Sequence, residues 1–217
     1  MIKYEHVWGL ETRFVESPIL LKLLEAVDQL SIQVHPNAKC AAKHGVQMKT
    51  EVWCVINPGD IYAGFKLGVT LEDVKKASGT DAILDLLVKR YVKKGEIYLI
   101  PAGVVHSLGG GVSVFEVQQP SDITYRFFDW HRKRVDGSER ELHIEKALEA
   151  VDVSATEIVP VDKVENEFFS AWRVEAAFLD AVDYPRYVYT PSTGEFKIVK
   201  PGERQALFDW SFVAAAR

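Results

Sequence analysis

Apolar residues fall in short runs with turn signals between them over most of this sequence. Leu30–Val34, Glu51–Ile56 and Ile61–Lys66 read as strands, and Asn57-Pro58-Gly59-Asp60 joins the last two as a hairpin. From Glu96 onward the pattern is strand after strand: Ile97–Ile100, Val104–Leu108, Val112–Val117 and Ile123–Phe128. Strand-like pieces return at Trp172–Val174, Arg186–Tyr189, Phe196–Val199 and Phe208–Val213. Helical spacing occurs in insertions. Pro18–Gln29 (PILLKLLEAVDQ) reads as a helix with Pro in its first turn, and Ala38–His44 as a short one. Thr70-Leu-Glu-Asp has the form of a capping box and starts a third. Asp81–Val88 and Glu141–Val151 complete the set. Many short strands with few helices predict a mostly β fold with helical insertions, built on an antiparallel barrel or jelly roll.

The length of 217 residues suits one large domain or two small ones. Hydrophobic residues at 47% exclude disorder, and five Trp, eight Tyr and eleven Phe favour a β-rich core. A net charge of -5 argues against nucleic-acid or anionic-membrane partners. The longest stretch free of Asp, Glu, Lys and Arg, Ile97–Phe115, contains Pro101, His106 and four glycines, which disfavours a lipid-facing helix. MIKYEHVWGLETRF shows no signal-peptide pattern, and two cysteines, Cys40 and Cys54, suit a reducing compartment, so a cytoplasmic location is expected. The oligomeric state is not legible.

On a strand, Gln33 and His35 share a face and Val34 takes the other. A carboxamide oxygen and an imidazole nitrogen on one face can both ligate a metal. Glu51 opens a later strand and offers a carboxylate, and His106 follows Pro101-Ala102-Gly103. Two imidazoles and two oxygen donors suit zinc, and also accept manganese, iron or cobalt. The run His131-Arg132-Lys133-Arg134, before Val135-Asp136-Gly137, reads as a solvated loop rather than a phosphate site. His6, His44 and His143 have no ligand-like spacing.

Gly95 through His106 (GEIYLIPAGVVH) resembles the second cupin motif, with Gly110 where cupins often carry Asn. Five blocks in order extend the resemblance: LSIQVHP (Leu30–Pro36), KTE (Lys49–Glu51), IPAGVVHSLGGG (Ile100–Gly111), FEVQQPSDITYRFFDWHR (Phe115–Arg132) and RELHIEKAL (Arg140–Leu148). Together they resemble the type I phosphomannose isomerases, zinc-dependent cupins that interconvert mannose 6-phosphate and fructose 6-phosphate. The resemblance implies a cupin-type barrel in which Gln33, His35, Glu51 and His106 hold one zinc ion. It also implies a sugar-phosphate substrate, with Ser31, Lys49 and Arg126 near it, Arg126 as a catalytic cation, and Lys49 or Glu116 as the base.

The segment between Trp8-Gly9 and Pro18 is short for that family, and Phe168–Arg217 resembles the tail of a second cupin without ligands. The expected organisation is a metal-binding barrel with helical insertions over residues 1–155 and an abbreviated cupin-like segment over 156–217. An isomerase or epimerase for another sugar and a non-catalytic sugar-binding paralogue are the alternative functions.

Overall fold

Sheet stacked on sheet is the arrangement found in the computed structural model, which describes residues 1–133, 136–181 and 183–216. The first part of the chain supplies β1 (Ile2–His6), β2 (Gly9–Val15), β3 (Leu20–Ala26), β4 (Ile32–Val34), β5 (Glu51–Asn57) and β6 (Gly59–Phe65). It continues with β7 (Leu87–Val92), β8 (Ile97–Ile100), β9 (His106–Leu108), β10 (Ser113–Gln118) and β11 (Tyr125–Phe128). Three helices interrupt these strands or follow them: α1 (Ala38–His44), α2 (Leu71–Ala77) and α3 (Ile144–Ala150). The rest forms β12 (Lys163–Glu165), β13 (Phe169–Val174), β14 (Ala177–Asp180), β15 (Arg186–Thr190), β16 (Glu195–Val199), β17 (Arg204–Leu207) and β18 (Ser211–Ala216).

Two facing sheets enclose the site. One has the order β1-β2-β3-β10-β5-β8, the other β11-β4-β9-β6-β7, and every pairing is antiparallel. Their inner faces share one apolar cluster, including Leu24, Trp53, Val55 and Val114 from the first sheet and Ile61, Ala63 and Leu108 from the second. Alternation along each strand then fixes what faces outward. Ile32, Val34 and Val105 pack against Cys40 of α1, Val74 of α2 and Ala147 of α3. Leu21, Val52, Cys54, Phe115 and Val117 pack against Phe169, Ala171, Tyr187, Tyr189, Phe212 and Ala214 of a third sheet, β12-β13-β18-β15-β16. Phe115 and Tyr189 stack with centroids 4.8 Å apart and planes 3° from parallel. The far side of that third sheet packs on the β14–β17 ribbon through Val188, Val213, Leu179 and Leu207.

This layering explains where the sequence pattern misleads. Pro18–Gln29 is not a helix: Leu20–Ala26 is β3, paired with β2 and β10. Leu21 is buried against the third sheet while Leu24 is buried inside the barrel, so both faces are apolar. A strand buried on both faces reads as a continuous apolar run, which periodicity cannot separate from a buried helix. The expected helix over Asp81–Val88 is a 3-10 turn at Asp81–Leu86 that passes directly into β7. Nothing in the sequence pattern marked β1 and β2. The α2 capping box forms as expected: Asp73 N–H donates to Thr70 Oγ1 at 3.2 Å and Thr70 N–H to Asp73 Oδ2 at 3.0 Å. Gly103, at φ 89°, donates its N–H to the His35 carbonyl at 3.1 Å, fastening the bend before His106 to the strand carrying Gln33. Among the described residues no helix is long and apolar enough to cross a membrane.

Candidate metal centre and its cavity

Gln33 and His106 are directly opposed on β4 and β9, and β5 brings Glu51 in from the facing sheet. His35 follows β4 on the same inward side. Each imidazole is oriented by the backbone. His35 Nδ1–H donates to the Ile123 carbonyl at 2.8 Å, and His106 Nδ1–H to the Val104 carbonyl at 2.8 Å. Both Nε2 atoms are therefore lone-pair donors, and both face Glu51: His35 Nε2 is 2.9 Å from Oε1 and His106 Nε2 3.7 Å from Oε2. Burial first, and the Lys49 charge next, push the His35 pKa down to about 3, and burial pushes His106 down as well. The neutral His35 Nε2 has no hydrogen-bond partner in spite of the close carboxylate oxygen, because lone pair meets lone pair. The donor atoms of His35, Glu51 and His106 all lie within 4.8 Å of one another, and all three side chains are buried. Imidazoles held by backbone carbonyls, with free nitrogens turned on a carboxylate, form a set that can hold a divalent cation. Gln33 completes it: its amide nitrogen is 3.4 Å from His106 Nε2 and its oxygen accepts from Ser31 Oγ at 3.1 Å. Turning the amide over would present oxygen at the same place.

Charged residues surround this trio. Lys49 Nζ lies 2.8 Å from Glu51 Oε1. Burial alone would raise the Glu51 carboxyl; the Lys49 charge holds it well below the usual carboxylate range. Lys22, Glu116 and Trp53 occupy directly opposed positions on β3, β10 and β5. Lys22 Nζ is 2.9 Å from Glu116 Oε1, and Trp53 Nε1–H is shared between Glu116 Oε2 at 3.0 Å and Glu51 Oε2 at 3.2 Å. Burial, and then the Glu51 charge, raise the Glu116 carboxyl above its ordinary range.

These groups line a cavity of about 320 Å³ that also takes in His6, Trp8, Glu11, Arg13, Arg126 and Arg140. Gln33, Lys49, Glu51, Glu116 and Arg126 line it directly, His35 and His106 meet Glu51 at its floor, and Ser31 reaches it through Gln33. All eight residues singled out from the sequence thus gather at one place. Arg126 is half-buried on β11, its main chain paired with Gln33 and with His143. At the rim, Arg13 binds Glu11 at 2.5 Å and grips Asp122 at 2.9 and 3.1 Å, while the His6 ring stacks on Trp8 at 4.7 Å. Lys22, Trp53, Glu11 and Arg13 were not foreseen. The usable signal for Lys22 was a single cation inside LLKLLEA, a run otherwise too apolar to leave it on a surface. A larger groove of about 490 Å³, bounded by Gly95–Ile97, Pro160–Asp162 and Arg173, gathers no comparable set of donors.

The basic run after β11 is tied to structure. Arg132 binds Asp129 at 2.5 Å and the Gln29 carbonyl, and His131 lies 3.3 Å from Asp81; Arg134 and Val135 fall outside the described residues. Among the described residues, none that lines the cavity comes after Arg140.

No family model matches the chain. It is 38% identical over 141 residues to mannose-6-phosphate isomerase ManA of Bacillus subtilis, an alignment covering 63% of this chain and 44% of the relative. The mannose-6-phosphate isomerase of Streptococcus mutans is 36% identical over 140 residues, covering 63% of this chain and 44% of that protein. The chain thus spans less than half the length of these curated relatives. The crystal structure of the Bacillus subtilis mannose 6-phosphate isomerase superposes with a TM-score of 0.70 at 25% identity, over 91% of this chain and 75% of that one. The fold is that of the cupin-type isomerases, mostly β with antiparallel sheets and few helices. In sequence and in fold, the chain is similar to the bacterial mannose-6-phosphate isomerases.

Proposed function

We propose that the chain is a metal-dependent aldose–ketose isomerase that interconverts mannose 6-phosphate and fructose 6-phosphate. The observation that carries this reading is the buried His35 Nε2: a neutral lone pair 2.9 Å from a carboxylate oxygen, beside a second imidazole held in the same tautomer. Such a site asks for a cation. Gln33, His35, Glu51 and His106 would hold it, and two nitrogens with two oxygens suit zinc. When bound, zinc supplies Lewis acidity to the sugar's carbonyl and to the enediolate derived from it.

The chain's own residues do the rest. Isomerisation moves a proton between C2 and C1 of the open-chain sugar. Glu116 is the base: burial makes its carboxylate more basic than usual, and Lys22 and Trp53 fix its orientation. Lys49, held against Glu51, contributes positive charge where the enediolate develops, which favours the transition state over the bound sugar. Arg126 keeps its charge and offers a planar fork to the enediolate or the phosphate. Ser31 orients Gln33 and the sugar near it. A net-acidic chain needs such local cations to take an anionic sugar. Residues 1–155 form the catalytic unit in this reading. Residues 156–217 cover its outer sheet, supported by the packing of Leu21 and Phe115 under Phe169, Tyr189 and Phe212.

The test follows mannose 6-phosphate by NMR in deuterated water. Formation of fructose 6-phosphate with solvent deuterium entering at the transferred position supports an enediolate route through a carboxylate base. Product formation with complete absence of exchange in wild type, together with full activity in Glu116→Gln, would remove the role given to Glu116.

A further inference from the structure

Outside the barrel, a second group of ligand-type side chains bridges two helices. Cys40 and His44 stand four residues apart on α1, hence on one face of it, and Glu149 comes from the last turn of α3. Their ligand atoms all lie within 4.8 Å of one another. His44 Nε2 is 2.7 Å from Glu149 Oε2, and Lys43 Nζ holds the other carboxylate oxygen at 2.9 Å. Cys40 is buried among residues packed on the outer face of the β11-β4-β9-β6-β7 sheet, the side opposite Gln33 and His35. The two helices are already locked together. Asn37 caps α1 through the Cys40 N–H and donates its own amide to the Ala150 carbonyl at 2.7 Å. Gly45, at φ 63°, ends α1 directly after His44.

We propose that Cys40, His44 and Glu149 form a second site for a zinc-class divalent cation, separate from the barrel site, with water in the fourth position. A thiolate, an imidazole and a carboxylate are the donor set such borderline ions take. In a tetrahedral site these donors stand roughly 3.3–3.6 Å apart, given bond lengths near 2.0–2.3 Å. From the present spread, the partly exposed His44 and Glu149 side chains would have to rotate to reach that spacing. Burial and the Glu149 carboxylate push the Cys40 thiol up, so an ion entering there displaces the thiol proton to solvent. The ion would clamp α1 to α3. Since α1 lies between His35 and Lys49, the clamp stiffens the connection between two walls of the cavity.

Cobalt added to the chelator-stripped protein tests this, because thiolate-to-cobalt charge transfer in the near ultraviolet reports Cys ligation. The barrel site has no sulfur donor, and Cys54 lies under the third sheet. The expected result is one saturable equivalent with that band, lost in Cys40→Ser and kept in Cys54→Ser. His44→Ala and, separately, Glu149→Gln should weaken it at least about 10-fold, the minimum for losing a ligand when an outer-shell partner alone costs that much. Cobalt saturation of the protein with no such band, a band that survives in Cys40→Ser, or a band with unchanged affinity in both His44→Ala and Glu149→Gln would overturn the proposal.

Discussion

Lys22 Nζ lies 2.9 Å from Glu116 Oε1, the two side chains projecting from directly opposed positions of β3 and β10 into the barrel. Both are buried, and each charge is tolerated because the other is present. Burial would lower the Lys22 ammonium, but Glu116, Glu11 and Glu51 raise it above the ordinary lysine range. Removing one member of a buried pair strands the other, at a cost of about 3–5 kcal/mol, whereas replacing both with apolar residues is often neutral. Lys22→Met alone is therefore expected to lose stability of that order in urea titrations, and Lys22→Met with Glu116→Leu to recover most of it. Turnover should stay absent in the double variant. Recovered turnover would show that the pair is structural only.

One ion per chain is expected to survive dialysis in a Cys40→Ser background, which removes the proposed second site. Elemental analysis should give near-unit stoichiometry there and near zero when His35→Ala and His106→Ala are added. Unchanged metal content in that combined variant would place the ion elsewhere.

Acid stability should report on Glu11. Burial would raise its carboxyl, but hydrogen bonds from His6 and Arg13 and the Lys22 charge hold it down at about 2, against an ordinary 4.5. A depressed folded-state pKa gives stability that is complete above about pH 4.5 and fades as pH falls toward 2. The stability gap between wild type and Glu11→Gln should therefore be widest near neutrality and close through that window. A gap that widens on acidification contradicts the assignment.

The third sheet should matter to stability and not to chemistry. Phe115→Ala, which empties the space against Tyr189, should cost about 3–5 kcal/mol. Single substitutions at exposed Lys163 or Glu175, or at half-buried Arg186 or Lys197, should leave kcat within about threefold, a barrier change near 0.7 kcal/mol. A hundredfold loss at any of these with unchanged stability would bring the segment after residue 155 into the reaction.

The inward residues were legible where alternation and spacing cooperate. Gln33 and His35 share a face because Val34 must point out, and Gly95, Pro101 and Gly103 turn the chain so that His106 meets them. Short helices with local signals were legible too: Ala38–His44 is α1 as expected, and Thr70 caps α2. The segment carrying Lys22 was misread because its neighbours are Leu on both sides, and only the third sheet, distant in sequence, makes that composition suit a strand. Glu11 and Arg13 escaped for a related reason, since β1 and β2 gain their place from pairing with β3. The proximity of His44 to Glu149 depends on how α1 and α3 pack, which spacing along the chain does not encode.

The measurement that bears most directly on the central reading is kcat/KM for mannose 6-phosphate and for free mannose, in the metal-loaded, chelated and zinc-reconstituted protein, with Arg126→Lys and Arg126→Ala alongside. Turnover of the phosphorylated sugar is expected to vanish on chelation and return with zinc, and free mannose to be a far poorer substrate. Both Arg126 variants should lose about 30- to 1000-fold, the effect of about 2–4 kcal/mol at a desolvated charge contact, because an ammonium does not reproduce the guanidinium fork. Equal efficiency on both sugars, turnover indifferent to chelation, or tight sugar-phosphate binding with no turnover would contradict the account.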